Sequence, residues 1–148
     1  MTTTTAQDLR DIEDAAVTIL FGADPIDAHR AQAVHTACQQ FQTRDPLIHR
    51  VLTAHPAQRH TALHKMRQAL AEADPIDGEM HTVAAVLTWT ITGNSAVAQQ
   101  LLAEGARRGT HTALNDLYTE AIALGLPHDL WLTLNAETSL DTLRTGVA

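Results

Sequence analysis

Between Met80 and Ile91 the chain is apolar at Met80, Val83, Ala84, Val86, Leu87, Trp89 and Ile91, positions that run round the whole circumference of a helix. A helix that is apolar on every side has to be buried on every side, so the rest of the chain must enclose it. Directly after it, Gly93-Asn94-Ser95 reads as a C′ glycine followed by an N-cap serine. A second apolar stripe then begins at helical spacing with Val97, Ala98, Leu101, Leu102 and Gly105. The expected organiser is a helical hairpin over residues 79–106, with Val83, Leu87, Trp89, Ile91, Ala98, Leu101 and Leu102 as its core.

The flanking segments supply the enclosure. Residues 8–21 place Leu9, Ile12, Ala16 and Ile19 on one helical face, with Asp8, Asp11, Glu13 and Asp14 in the early turns, where the helix dipole favours anions. Asp24-Pro25 reads as an N-cap before a proline at N1, opening a helix to about Gln42 with Ala31, Val34, Cys38 and Phe41 inward. Asp45-Pro46 repeats that start for a short helix with Leu47, Ile48, Val51 and Leu52. Pro56 opens a fourth, with Leu63, Met66 and Leu70 inward. The pentapeptide Ala73-Asp74-Pro75-Ile76-Asp77 repeats Ala23 to Asp27 word for word, but the residues after the two copies diverge. Two coinciding Asp-Pro helix starts explain this more simply than a duplication. Beyond the hairpin, residues 112–124 put Leu114, Leu117, Ala121 and Leu124 on one side, and Gly125-Leu126-Pro127 ends that helix. A short helix over 128–134 carries Trp131, and a last one near 139–144 leads into a fraying end. No segment sustains the period-two alternation of a half-buried strand, and the short connections imply antiparallel neighbours. The expectation is an all-α single domain of about eight short antiparallel helices over residues 8–145, behind a disordered tail of residues 1–7.

Composition narrows function mostly by exclusion. Aromatics are 3 % of the 148 residues and the formal net charge is −7, which argues against a stacking platform for bases and against a dedicated phosphate-binding face. The lone cysteine, Cys38, rules out an intramolecular disulfide and fits a reducing cytoplasm. No window approaches a membrane span, and the start MTTTTAQ lacks the features of a signal peptide. Phosphate-cradling glycine loops and nucleophile elbows are absent, so no catalytic residue and no cofactor is expected.

Two resemblances arise. Trp89, Gly93, Ala98 and Leu102 sit where a tetratricopeptide repeat places an aromatic, a turn glycine, a small residue and a large one. Thr110 stands where that repeat closes on proline, and no second copy follows at the repeat period, so the resemblance is to one hairpin and not an array. The span from Leu9 to Leu132 also resembles the helical C-terminal half of a large actinobacterial family known as domain of unknown function 4192. The residues carrying it are Arg44-Asp45-Pro46 with Leu47, His49 and Val51, then Leu87-Thr88-Trp89, Thr92-Gly93-Asn94, Ala96-Val97-Ala98, and Gly125-Leu126-Pro127 with Trp131. In that family the segment usually follows an α/β half that this sequence does not carry. The resemblance implies a helical fold, an actinobacterial or actinophage source and no known catalytic residues.

The remaining candidates cluster in the middle of the chain. Arg44, Arg50, Arg59, Lys65 and Arg67 are half of the ten Lys and Arg, interleaved with His49, His55, His60 and His64. That is a candidate interaction patch (His49, Arg50, Arg59, His60, His64, Lys65 and Arg67 above all), or else a solvated helix face. His60 and His64 share a face at a spacing able to chelate a metal. However, Thr61 stands where a zincin would have glutamate, no third ligand is near in sequence, and no metal site is expected. Cys38 on the inward stripe reads as core filler. Trp131, after a proline turn, reads as a core or edge residue or as an interface anchor. The sequence therefore points to a non-catalytic helical interaction module for a protein partner or a homo-oligomer. A nucleic-acid accessory or regulator using the Arg44–Arg67 patch is the alternative.

Overall fold

The computed structural model describes residues 5–109 and 112–145, which are helical throughout with no strand. In chain order the helices are α1 (Ala6–Phe21), α2 (Ala28–Ala37), α3 (Phe41–Leu52), α4 (Pro56–Ala73), α5 (Glu79–Thr92), α6 (Ser95–Arg107), α7 (Ala113–Ala123), α8 (Leu130–Leu134) and α9 (Leu140–Thr145). Nine helices are present among the described residues, in keeping with the expected eight or so. Among those residues, no helix is long and apolar enough to cross a membrane.

The central helix is α5. Every residue from Met80 to Thr90 is buried, because α3, α4, α6 and α7 all pack against it. Of the expected core, Val83, Leu87, Trp89, Ala98 and Leu102 are buried. Ile91 and Leu101 are only half-buried at its edge, since α5 leaves the core in its last turn. Trp89 meets Tyr118 of α7 edge to face, with ring centroids 5.7 Å apart. That is within the favourable range for aromatic pairs.

The caps fall differently from the Asp-Pro expectation, for a consistent reason. In both copies of the pentapeptide it is the last aspartate that meets the new helix. Asp27 is the N-cap of α2 and accepts the Arg30 amide at 2.8 Å, so Asp24 and Pro25 lie in the linker. Asp77 accepts the Glu79 amide at 3.2 Å while Gly78 is the N-cap of α5. Asp74 instead closes α4 in the left-handed region at φ 41°, a conformation that Asp tolerates better than most residues. Helix α2 ends at Ala37, and Phe41 opens α3 and is exposed rather than inward. Pro46 then lies inside α3, not at its start. It forfeits the bond to the Gln42 carbonyl, a loss offset by the buried Leu47, Ile48, Val51 and Leu52. Asn94, not Ser95, caps α6 through the Val97 amide. Gly93 and Gly125 take the positive φ expected of helix-ending glycines.

At the ends, Thr5 and Asp8 form a reciprocal capping box, so order begins before residue 8. Residues 1–4 and the expected fraying beyond Thr145 lie outside the described residues. Helix α8 begins at Leu130 rather than at 128.

Candidate functional site

The basic residues singled out in the sequence do not form one surface. Arg50 on α3 turns inward to α1, donating to Glu13 Oε2 and Asp14 Oδ1, each at 2.6 Å. Arg44 pairs with Asp45 at 2.8 Å. His49 accepts from Trp131 Nε1 at 3.3 Å, and burial lowers its pKa from 6.5, so it adds no charge at neutral pH. Lys65 donates to the Asp24 carbonyl. What remains outward on α4 is His60, His64 and Arg67, beside a half-buried Arg59 whose Nε has no partner among the described residues. No group of three or more His, Cys, Asp or Glu side chains converges anywhere among the described residues, so His60 and His64 gain no third ligand. Cys38 is buried and its thiol pKa is pushed up by that burial, consistent with core packing.

Trp131 is not an exposed interface anchor. At 5 % exposure it is buried, and its bond to His49 ties α8 to α3.

A buried ionic cluster was not anticipated. Helix α1 buries Glu13, Ala16, Val17 and Leu20, a face rotated from the expected Leu9–Ile12–Ala16–Ile19 stripe. Glu13 sits at the centre of it. Arg144 of α9 donates to it through Nε at 2.8 Å and Nη2 at 2.9 Å, the latter to the same Oε2 that accepts from Arg50. Burial pushes the Glu13 pKa up, but the hydrogen bonds and charges of Arg144 and Arg50 prevail and hold it below its ordinary value. One carboxylate thereby joins α1, α3 and α9. The signal was present in the sequence, since Glu13 lies at helical spacing from Leu9, Ala16, Val17 and Leu20. A cleft of about 330 Å³ lies beside the cluster between α1 and α9, but its charged groups Arg10, Glu13 and Arg144 are committed to ion pairs.

Three of the exposed large apolar side chains lie on α7 or at its C-terminal end, the others being Phe41, Ile76 and Leu134. The residues expected inward split: Leu114 and Ala121 are buried, whereas Leu117 is 43 % and Leu124 67 % exposed. Leu126, just past the helix, is 41 % exposed. The buried face is instead Leu114, Asn115, Tyr118, Ala121 and Ile122. Asn115 sets that rotation. Its amide donates to Thr82 Oγ1 of α5 at 2.9 Å and to the Leu102 carbonyl of α6 at 3.1 Å, so turning α7 to bury Leu117 would strand a buried amide. Alongside runs a groove of about 420 Å³ between α6 and α7, lined by Leu102, Ala103, Ala106, Asn115, Thr119 and Ala123 among others. Asp116 lines this groove, and Asp116 and Glu120 on α7 form no ion pair among the described residues.

No family model, no curated protein and no solved structure matches this chain.

Proposed function

We propose that the chain is a non-catalytic helical module that binds a protein partner or a second copy of itself through the surface of α7 and the α6–α7 groove. The observation that carries this is the exposure of Leu117 on α7, of Leu124 at its C-cap and of Leu126 just past it, beside a helix whose other face is buried. Covering three partly exposed leucines is worth about 2–5 kcal/mol in total, enough to anchor an interface. Clustered exposed apolar side chains rimmed by polar ones are what such interfaces look like before binding. The resemblance to the domain-of-unknown-function family, with no known catalytic residues, fits this role. A cytoplasmic location, suggested by the lone Cys38, belongs to the same proposal.

The test is affinity capture from lysate of the chain's own host, with and without nuclease, using wild type and Leu117→Asp/Leu124→Asp. Light scattering across a concentration series reads self-association. A nuclease-resistant partner, or a dimer, that the double variant loses while unfolding at the wild-type temperature supports the module. Equal capture by both proteins sinks it.

The alternative is a nucleic-acid accessory using α4. Its specific support is that Arg59 and Arg67 lack an acidic partner among the described residues beside the exposed His60 and His64. With Arg44 and Arg50 already paired to carboxylates, few cations are left to displace counterions. Binding of this kind would be nuclease-sensitive, would show a shallow salt dependence, and would be lost in Arg59→Ala/Arg67→Ala.

A further inference from the structure

Helix α9 buries no residue of its own, yet its Arg144 reaches the buried carboxylate of Glu13. We propose that α9 is an exchangeable arm. In a homodimer, the α9 of each copy occupies the seat on α1 and α3 of the other, with its Arg144 on the Glu13 of the second copy. The seat is separate from the leucines of α7, and the proposal does not depend on them.

The arm can leave without opening the hydrophobic core. It rests on α3, and Leu140, Leu143 and Arg144 are only half-buried. The cleft of about 330 Å³ between α1 and α9 leaves the seat partly unfilled. The linker is also free to straighten. Asn135 bonds to Trp131, Thr138 to Asn135, and Ser139 to Thr142 and Leu143. Among the described residues, no hydrogen bond ties residues 135–139 to a more distant part of the chain. Extended, those five residues span about 16 Å, enough to carry α9 off its own seat.

A second copy is the occupant that the lock itself selects. An arm that simply swung out would leave Glu13 as a buried carboxylate with Arg50 as its remaining donor, and would expose Leu140 and Leu143. Exchange restores every one of these contacts, because the bonds of 2.8 and 2.9 Å from Arg144 to Glu13 join side chains and form between chains as well as within one. A partner of other sequence would need the same arginine and the same leucines, which the second copy already carries.

The test mixes two full chains, Glu13→Arg and Arg144→Glu, one of them isotope-labelled. Alone, each sets like charges against each other at the seat. Each should be monomeric, with amide exchange at residues 140–145 about tenfold faster than in wild type. Mixed, each seat receives an arm of opposite charge from the other chain, so native mass spectrometry should show heterodimers and exchange at 140–145 should slow again. Folded variants that stay monomeric when mixed overturn the proposal. Because an arginine at a buried position can prevent folding, a second variant leaves Glu13 alone. Thr138→Ala/Ser139→Ala removes the hydroxyl that caps α9 and favours one continuous rod through α8 and α9, which lifts the arm from its own seat. By light scattering it should be a dimer, remain one with Leu117→Asp/Leu124→Asp, and become a monomer with Arg144→Ala. A monomeric hinge variant overturns the exchange, as does a dimer that survives Arg144→Ala. A dimer lost with the leucine pair also overturns it and belongs to the α7 surface. Wild type should show a dimer fraction that rises with concentration and disappears in Arg144→Ala, and a wild type that stays monomeric into the millimolar range sinks the idea.

Discussion

A Cβ placed on Gly78 would lie 2.2 Å from the carbonyl oxygen of Gly105 and 2.4 Å from its Cα, so the start of α5 and the end of α6 touch backbone to backbone. The φ of Gly78 is −103°, open to any residue, so space and not conformation requires glycine there. In the other direction, a Cβ on Gly105 would meet Gly78 O at 3.0 Å, Asn115 Nδ2 at 3.2 Å and Thr82 Oγ1 at 3.3 Å. The two glycines thus set the spacing at which Asn115 reaches both α5 and α6. Gly78→Ala is expected to cost about 3 kcal/mol and Gly105→Ala about 1 kcal/mol, the first overpacking against backbone atoms at 2.2–2.6 Å and the second meeting its neighbours at 3.0–3.3 Å. Urea denaturation of the two variants reads this directly, and equal costs would contradict it.

Glu13 is a buried carboxylate gripped by two arginines, so removing its charge leaves Arg50 and Arg144 facing each other. Glu13→Gln, which keeps the shape, should cost about 3–5 kcal/mol and release α9, visible as faster amide exchange at residues 140–145. The pH dependence has a definite sign. A carboxylate whose folded pKa lies below its unfolded value of about 4.5 contributes fully above that pH. It loses the contribution as pH falls through the folded pKa, and Asp14, also lowered by Arg50, acts in the same direction. The variant's stability should therefore fall less than that of wild type as the solution is acidified below about pH 4.5. Parallel profiles would show that the cluster does not govern acid unfolding.

Trp131 has only a donor to offer, so His49 Nδ1 must present a lone pair to it. Protonating that atom breaks the bond, and burial already lowers the His49 pKa from 6.5. For a base with a lowered folded pKa, stability is complete above the unfolded value and declines as pH falls through it. His49→Asn supplies an acceptor that does not titrate. It should reduce the drop in denaturation midpoint between about pH 7 and 5, leaving the share due to His81, which burial shifts the same way. An unchanged drop would assign the whole effect to His81.

The hydroxyl of Tyr118 is buried without a hydrogen-bond partner among the described residues, and burial pushes its pKa up. Tyr118→Phe removes the orphaned group and keeps the edge-to-face contact with Trp89. The variant should be unchanged or about 1 kcal/mol more stable. A clear loss in thermal unfolding would reveal a bridging water in that spot.

The contrast between α5 and α7 shows what could be read in advance. An apolar circumference admits only burial, so the central place of the helix expected over Met80–Ile91 followed from residue types, and with it the all-α class and the glycine ends at Gly93 and Gly125, though Ile91 is only half-buried. On α7 the leucines Leu114, Leu117 and Leu124 form a plausible inward stripe by periodicity, yet Asn115 decides the rotation. A stripe specifies a face only to within the spread of its apolar residues, whereas a buried amide needs partners at hydrogen-bond distance and tolerates no such spread. The Asp-Pro starts failed for a related reason. Local propensity favours Asp24, Asp45 and Asp74 as caps about as well as Asp27, and only the packing of α2, α3 and α5 selects among near-equal local solutions.

The candidate surfaces divide along the same line. The run of Arg, Lys and His from Arg44 to Arg67 is visible in the sequence, but net charge and spacing do not say which cations will be spent on internal carboxylates. Asp45, the chain neighbour of Arg44, takes that cation locally, whereas Glu13 and Asp14 take Arg50 only once α1 and α3 pack. Sequence alone determined that this chain folds as helices around one central hairpin, because burial of apolar surface follows from residue type and period. Tertiary structure alone decided which charges remain free and which leucines face solvent, because both depend on contacts between residues far apart in the chain.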